Sequence, residues 1–395
     1  MNNDITIYSS DLLFDGYGLN QYAAIVCNHK GEIIDLINKN DQLPSSAVLL
    51  EGLLMPGMVN AHCHLELSFM KDAIPQHSGL VSFLMEVGRQ RNHNTDEVIL
   101  EKMKVAEQEM IQSGIVAIGD ICNSLYTYHH RQHSSLIYHH FIECFGLHEH
   151  QSLDRFSNAL QLYHQYSQIG EASLVLHAPY SVSPSLCKLV DDFNRNKIST
   201  LHNQEAACEN ELFQHKTGDF KRLYDIFNYP IETFPFQGPS SLRGFLPHLR
   251  FAQHLILVHN TCTHQQDIEY TQQHHINTFW CLCPSANKYI EHKLPPVDLL
   301  RKNNATIVLG TDSLASNTCL NLWHEIHILL SSFPEFSLWD LLKAATSTGA
   351  EALGMSDRLG TFKKHTKPGI LHIPSINATG QLTHIPQVNV LHPAS

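Results

Sequence analysis

From Met55-Pro56-Gly57 onward, short apolar runs of strand length alternate with longer amphipathic stretches, and that alternation restricts the chain to a parallel α/β array. The runs read MVNAHCH, GIVAIGDI, IYHHFIECFGL, ASLVLHAPY, ISTLHNQE, LILVHN, NTFWCLCP and ATIVLGTDS, eight in all. Between them, Asp96 to Ser113, Leu153 to Gln168, Pro184 to Arg195 and Leu338 to Ala352 are long enough for helices. The first of these carries Val98, Met103, Val105, Met110 and Ile111 at roughly helical spacing. Eight strand–helix units predict a closed (β/α)8 barrel of the TIM type over 56–358. Outside it, ITIYSSDLLF, YAAIVCNHKGEIIDLI with a hairpin at Lys30-Gly31, KPGILHIP and LTHIPQVNVL are short strand-like pieces. Segments 1–55 and 359–395 are therefore expected to pair as a small β-sandwich beside the barrel. The Pro- and Phe-containing stretch from Tyr229 to Pro247 reads as a loop or lid over the rim.

The remaining composition narrows the function. A chain of 395 residues, 43% hydrophobic and only 16% charged, has ample core for such a fold and is not a disordered polymer. Its formal charge of -12, with no Lys/Arg-rich stripe, argues against nucleic acid as a partner. No basic leader or membrane-spanning apolar run is evident, so a cytoplasmic protein without membrane partners is expected. The ten cysteines follow no regular framework and are expected to be reduced. With 29 histidines, including the pairs His129/His130, His139/His140 and His274/His275, a histidine is informative only where its position is special.

Five polar residues have such positions: His62 with His64, His202, His259 and Asp312 all fall at or just past the C-terminal ends of apolar runs. In a barrel those ends form one rim, the face that carries active sites. His62 and His64, two apart on a strand, point to the same side about 7 Å apart along the backbone. Neutral imidazoles with a carboxylate suit zinc or a similar first-row ion. Asp312 taken alone reads first as an N-cap, a reading its companions displace, and a hydrogen-bonded core histidine is the lesser alternative for His259.

The stretches PGMVNAHCHLELS, LHNQEA, LVHN and LGTDSLASN together resemble the amidohydrolase superfamily over nearly the whole chain, in its mononuclear deaminase and chlorohydrolase branch. The resemblance implies one divalent ion, zinc with iron or manganese as the alternatives, on His62, His64, His202 and Asp312. Binuclear members use a lysine at the fourth strand, and ASLVLHAPY contains none. It further implies hydroxide generated near neutral pH at that ion, Glu205 of the H-x-x-E string His202-Asn203-Gln204-Glu205 as proton shuttle, Asp312 as acceptor of a water proton, and His259 orienting the nucleophile or polarising the substrate. For Glu205 the bland alternative is a carboxylate in a first helical turn.

The implied activity is hydrolysis of a C–N bond, with ammonia released from an amino-purine nucleoside or related aminated heterocycle. NAHCHLELS resembles most the aminodeoxyfutalosine deaminase branch, whose substrate, 6-amino-6-deoxyfutalosine, belongs to menaquinone synthesis. Methylthioadenosine or S-adenosylhomocysteine deaminases, guanine deaminases and chlorohydrolases share the same motifs, and a non-catalytic His-rich metal-binding protein is the reading of another class. A small-molecule substrate is expected to meet His177, Glu66 and Asn317, with Arg89 and Arg91 available for a carboxylate; a loop salt bridge for Glu66 and a turn for Asn317 are the plainer alternatives. Homo-oligomers are frequent in the family.

Overall fold

The computed structural model describes residues 5–91, 94–274 and 277–395, so residues 1–4 of the expected terminal unit and His275 of the histidine pairs lie outside the described residues. The first strands are β1 (Ile5–Leu13), β2 (Tyr22–Asn28), β3 (Ile33–Asn38) and β4 (Val48–Pro56). Eight further strands then alternate with helices: β5 (Met58–Cys63), β6 (Ile115–Cys122), β7 (Ile137–Cys144), β8 (Glu171–Leu176), β9 (Ile198–Asn203), β10 (His254–His259), β11 (Thr278–Leu282) and β12 (Thr306–Leu309). The chain ends with β13 (Pro368–Ile373) and β14 (Asn389–Ala394). Each of the eight apolar runs read from the sequence overlaps one strand of the alternating set, to within one residue at its ends.

These eight strands form two four-stranded parallel sheets, ordered β5-β6-β7-β8 and β12-β11-β10-β9. The continuous ladder expected of a closed barrel is interrupted at two seams, each bridged by backbone hydrogen bonds. At one, His202 N–H donates to the His177 carbonyl (3.0 Å); at the other, Thr311 and Asp312 N–H donate to the His62 carbonyl (3.1 and 3.2 Å). Both bridges fall at the C-terminal strand ends, on residues singled out by the sequence. One buried cluster draws on all eight strands through Val59, Ala117, Phe141, Val175, Ile198, Ile256, Phe279 and Val308.

The terminal strands make a single six-stranded sheet, ordered β14-β13-β4-β1-β2-β3, in which β1 and β4 are parallel. Leu13, Ile25, Ile33, Leu54, Phe362 and Ile370 form its own buried cluster. Gly57 joins β4 to β5 where a Cβ would lie 2.3 Å from Val116 Cγ1, too close for any side chain. Among the described residues all ten cysteines are free, and no helix is long and apolar enough to cross a membrane.

Two local readings need correction. The helix expected over Leu338 to Ala352 is two helices, Leu338–Ala344 and Ser347–Ala352. They part at Thr346, whose hydroxyl donates to the Leu342 carbonyl (2.6 Å) and offers the backbone an alternative partner. The stretch from Tyr229 to Pro247 is packed rather than poised over the rim: Phe234, Phe236 and Phe245 are buried, in edge-to-face contact with Phe213 and one another, because aromatic side chains of this size are too apolar to leave in water. The cleft is instead bordered by the helix Leu80–Gln90.

Candidate metal centre and cleft

β5 delivers His62 at its penultimate position, and His64 follows on the same side; β9 delivers His202, and the turn after β12 delivers Asp312. One donor atom from each of the four lies within 4.8 Å of all the others, and all four residues are buried. His64 Nε2 is 3.1 Å from both His62 Nε2 and His202 Nε2, and Asp312 Oδ1 is 3.4 Å from His64 Nε2 and 3.7 Å from His62 Nε2.

Several contacts impose this convergence. Gly310 leaves room for it: a Cβ there would sit 3.0 Å from His62 Cβ and 2.8 Å from Cys281 Sγ. Asn60 donates to the Thr311 hydroxyl (2.7 Å) and accepts from the Thr311 N–H (3.1 Å), tying β5 to the Asp312 turn. The Leu65 N–H, next to His64, donates to Asp120 (2.9 Å), which is itself paired with the buried Arg131 guanidinium (2.7 Å). Asp312 and His259 adopt φ of 55° and 75°, left-handed conformations that cost non-glycine residues energy and concentrate at functional sites.

The donor set fits a divalent cation. His202 Nδ1 donates to the His177 carbonyl (2.7 Å), which leaves Nε2 as a lone pair aimed into the cluster. His64 Nε2 has two imidazole nitrogens at 3.1 Å but at most one proton to share, so hydrogen bonding alone cannot satisfy the cluster. Burial pushes His64 and His202 well below the ordinary histidine range, keeping them neutral. For Asp312 burial pushes upward, but the neighbouring imidazoles of His62, His64 and His259 outweigh it and hold the group as a carboxylate. Its second oxygen accepts from the Ser316 hydroxyl (2.5 Å). Three imidazole nitrogens and one carboxylate oxygen are what zinc or a similar ion takes.

Facing the cluster are Glu205 and His259, with Glu205 Oε2 3.6 Å from His259 Nε2. Glu205 is 4% exposed, and burial, aided by the Asp312 charge, pushes its carboxyl well above the usual range. Its backbone is held by Glu209, whose carboxylate accepts from the N–H groups of Gln204 (3.2 Å), Glu205 (2.6 Å) and Ala206 (3.2 Å) at the start of the helix Ala207–His215. The Asn287 amide donates to His259 Nδ1 (3.2 Å), so neutral His259 carries its proton on Nε2, toward the cleft. Burial pushes His259 down to about 4, which keeps it neutral.

The residues expected to meet substrate divide. His177 lines the cleft, its Nδ1 2.9 Å from the Ser181 hydroxyl. Glu66 does not line it: both its oxygens accept loop amides, from Asn123 (3.2 Å) and Ser124 (3.3 Å), with Arg131 at 3.9 Å. Asn317 is likewise a loop fastener, donating to the Thr311 carbonyl and to Glu325 (both 2.9 Å) while accepting from the Thr318 N–H (2.7 Å). Arg89 is 60% exposed and paired with Glu86, whereas Arg91 lines the cleft. Glu143, at the end of β7, escaped the sequence reading; it is buried 4.0 Å from His202 Nδ1, and burial pushes it up to about 7. A second cleft, lined by His139, Glu171, Lys197 and Arg358 at the opposite strand ends, gathers no group of metal donors among the described residues.

Comparison with known proteins agrees with this geometry. An aminodeoxyfutalosine deaminase of Nitratiruptor is 26% identical over 350 residues, 85% of this chain and 83% of that protein. The crystal structure of Helicobacter pylori aminofutalosine deaminase in complex with methylthio-coformycin superposes with a TM-score of 0.79 at 22% identity, covering 95% of this chain and 94% of the other. An adenosine deaminase of Xanthomonas campestris with bound zinc gives 0.70 at 18% identity, covering 96% and 87%. The Amidohydrolase family model matches residues 53–370, a span that includes all four clustered donors, and the chain therefore belongs to the amidohydrolase family of hydrolases.

Proposed function

We propose that the protein is a hydrolytic deaminase that replaces the amino group of an adenine nucleoside by oxygen and releases ammonia, with 6-amino-6-deoxyfutalosine as the substrate. The observation that carries this reading is the opposition, across one buried cleft, of the four-donor cluster to a protonated Glu205 and a neutral His259. The deaminase relatives, and among them the two named for aminodeoxyfutalosine and aminofutalosine, support the substrate.

His62, His64, His202 and Asp312 would hold one divalent ion, with zinc favoured by the donor set and by the zinc-bearing neighbour. When bound, that ion supplies a Lewis acid able to make hydroxide available near neutral pH. Glu205 holds a proton on its carboxyl group and delivers it to the ring nitrogen beside the amino-bearing carbon, so that this carbon accepts the incoming oxygen. Asp312 takes one proton of the water and passes it to the departing ammonia, and Glu205 recovers the second as the carbon–oxygen double bond forms, so both carboxyl groups end as they began. His259, through Nε2–H, orients the attacking oxygen, and burial of all three groups excludes bulk water.

The scaffold reading belongs with this proposal. The eight-strand cluster and the two bridged seams support one closed (β/α)8 barrel over 56–358, and the separate cluster of the terminal sheet supports a small β-sandwich from 1–55 and 359–395. The test is ammonia release from metal-replete protein against 6-amino-6-deoxyfutalosine, methylthioadenosine, S-adenosylhomocysteine, adenosine, guanine and cytosine. Fastest turnover of the first supports the assignment, and release from none of them removes it.

A further inference from the structure

Two more histidines meet outside the cleft. His77 lies in the loop before the helix Leu80–Gln90, and His292 caps the C-terminal end of the helix Pro284–Glu291. They are 215 positions apart in sequence, yet His77 Nε2 and His292 Nδ1 are separated by 3.2 Å, with ring centroids at 4.4 Å. Within the donor cluster the imidazole nitrogens stand 3.1 Å apart, nearly the same spacing. Both residues are exposed, and among the described residues neither ring has another hydrogen bond or any ion pair.

The main chain holds the two rings in register. His77 N–H donates to the Tyr289 carbonyl (2.6 Å), Gly79 N–H to the Ile290 carbonyl (3.2 Å) and Leu80 N–H to Glu291 Oε1 (2.6 Å), while the Tyr289 hydroxyl donates to the Ile74 carbonyl (2.6 Å). His77 and His292 themselves take φ of 59° and 51°, left-handed values that are unfavourable for histidine. With both backbones fixed, the rings need little further ordering to share a ligand. That preorganisation sets this pair apart from adjacent surface pairs such as His129/His130.

We propose that His77 and His292 form a second transition-metal site, separate from the four-donor cluster, that takes zinc or a similar first-row ion. At ligand distances of about 2.0 to 2.1 Å, nitrogens 3.2 Å apart subtend about 100° at the ion, close to a tetrahedral angle. Two imidazoles favour zinc, nickel or copper over magnesium or calcium, which take oxygen ligands. Water completes the coordination. With no carboxylate in the pair, and with Lys288 lining the same groove, this site is the weaker of the two and fills after the cluster. An ion there clamps the loop before the helix that borders the cleft to the helix whose Asn287 holds His259.

The test starts from protein carrying one zinc ion in the donor cluster and adds further zinc, followed by calorimetry and by thermal unfolding, with magnesium as the control. A second ion should bind more weakly than the first and raise the unfolding temperature, an effect magnesium does not reproduce. His77→Asn and His292→Asn retain a residue type that accepts left-handed backbone and should each weaken the second ion by at least about tenfold. The double variant should lose little more than either single one, because a chelate needs both donors. The zinc-induced rise is read against each variant's own baseline, so a change in intrinsic stability does not imitate loss of the site. Uptake of no second ion would reduce the pair to a hydrogen bond, and a second ion bound equally by wild type and variants would be adventitious binding to other histidines; either result overturns the site. None of these readouts involves turnover, so the outcome is independent of the deaminase reading.

Discussion

Replacing Glu205 by glutamine separates proton transfer from every other function of the cleft. The side chain is 4% exposed, and its nearest ion-pair neighbour is His259 Nε2 at 3.6 Å, too far to hold the loop. The loop is fixed through the main chain, by Glu209 accepting the Glu205 N–H at 2.6 Å. Burial favours the protonated carboxyl, which glutamine matches closely in volume and in charge, so neither the fold nor the four donors should register the change. What disappears is the transferable proton. A general acid contributes about a hundredfold or more, so the variant should lose at least about 2.7 kcal/mol of transition-state stabilisation, two factors of ten at about 1.36 kcal/mol each. Ammonia release would be measured with metal content and thermal unfolding on the same preparation. Turnover within about threefold of wild type, at equal metal content, would refute the assigned role.

Two further outcomes follow from neighbouring groups. Asp312→Asn removes the only anionic donor of the cluster and should weaken ion retention by at least about tenfold, with a parallel loss of rate; equilibrium dialysis against a chelator reads the first and ammonia release the second. Glu209 is pushed up to about 8 by burial, against the pull of its three backbone hydrogen bonds. Its folded value lies above its unfolded one, so between pH 4.5 and about 8 the native state keeps a proton that the unfolded chain has released. Stability should therefore fall as pH rises across that window, and chemical denaturation of Glu209→Gln should show a shallower fall; an equal slope in both proteins would contradict this.

Much of the site was legible because each donor ends an apolar run. Strand ends are easy to read from hydrophobicity, and a parallel array brings such ends to one rim, so His62, His202, His259 and Asp312 stood out among many histidines. Glu143 satisfies the same rule at the end of β7, yet it was overlooked because no motif accompanied it. Glu66 and Asn317 show the opposite error. Both sit in strings that resemble pocket walls, but a sequence does not reveal that loop amides at Asn123, Ser124 and Thr318 have claimed their oxygens. The seams of the sheet and the break at Thr346 were illegible for a related reason, since each depends on a few local hydrogen bonds rather than on a repeating pattern.

The most direct test of the account is a metal titration of chelator-stripped protein, with bound ion and ammonia release from an adenine nucleoside followed together. Activity that rises in proportion to bound ion and reaches its plateau at one ion per chain is the predicted result. Full activity without metal, or binding of several ions per chain with no activity at any loading, would contradict it.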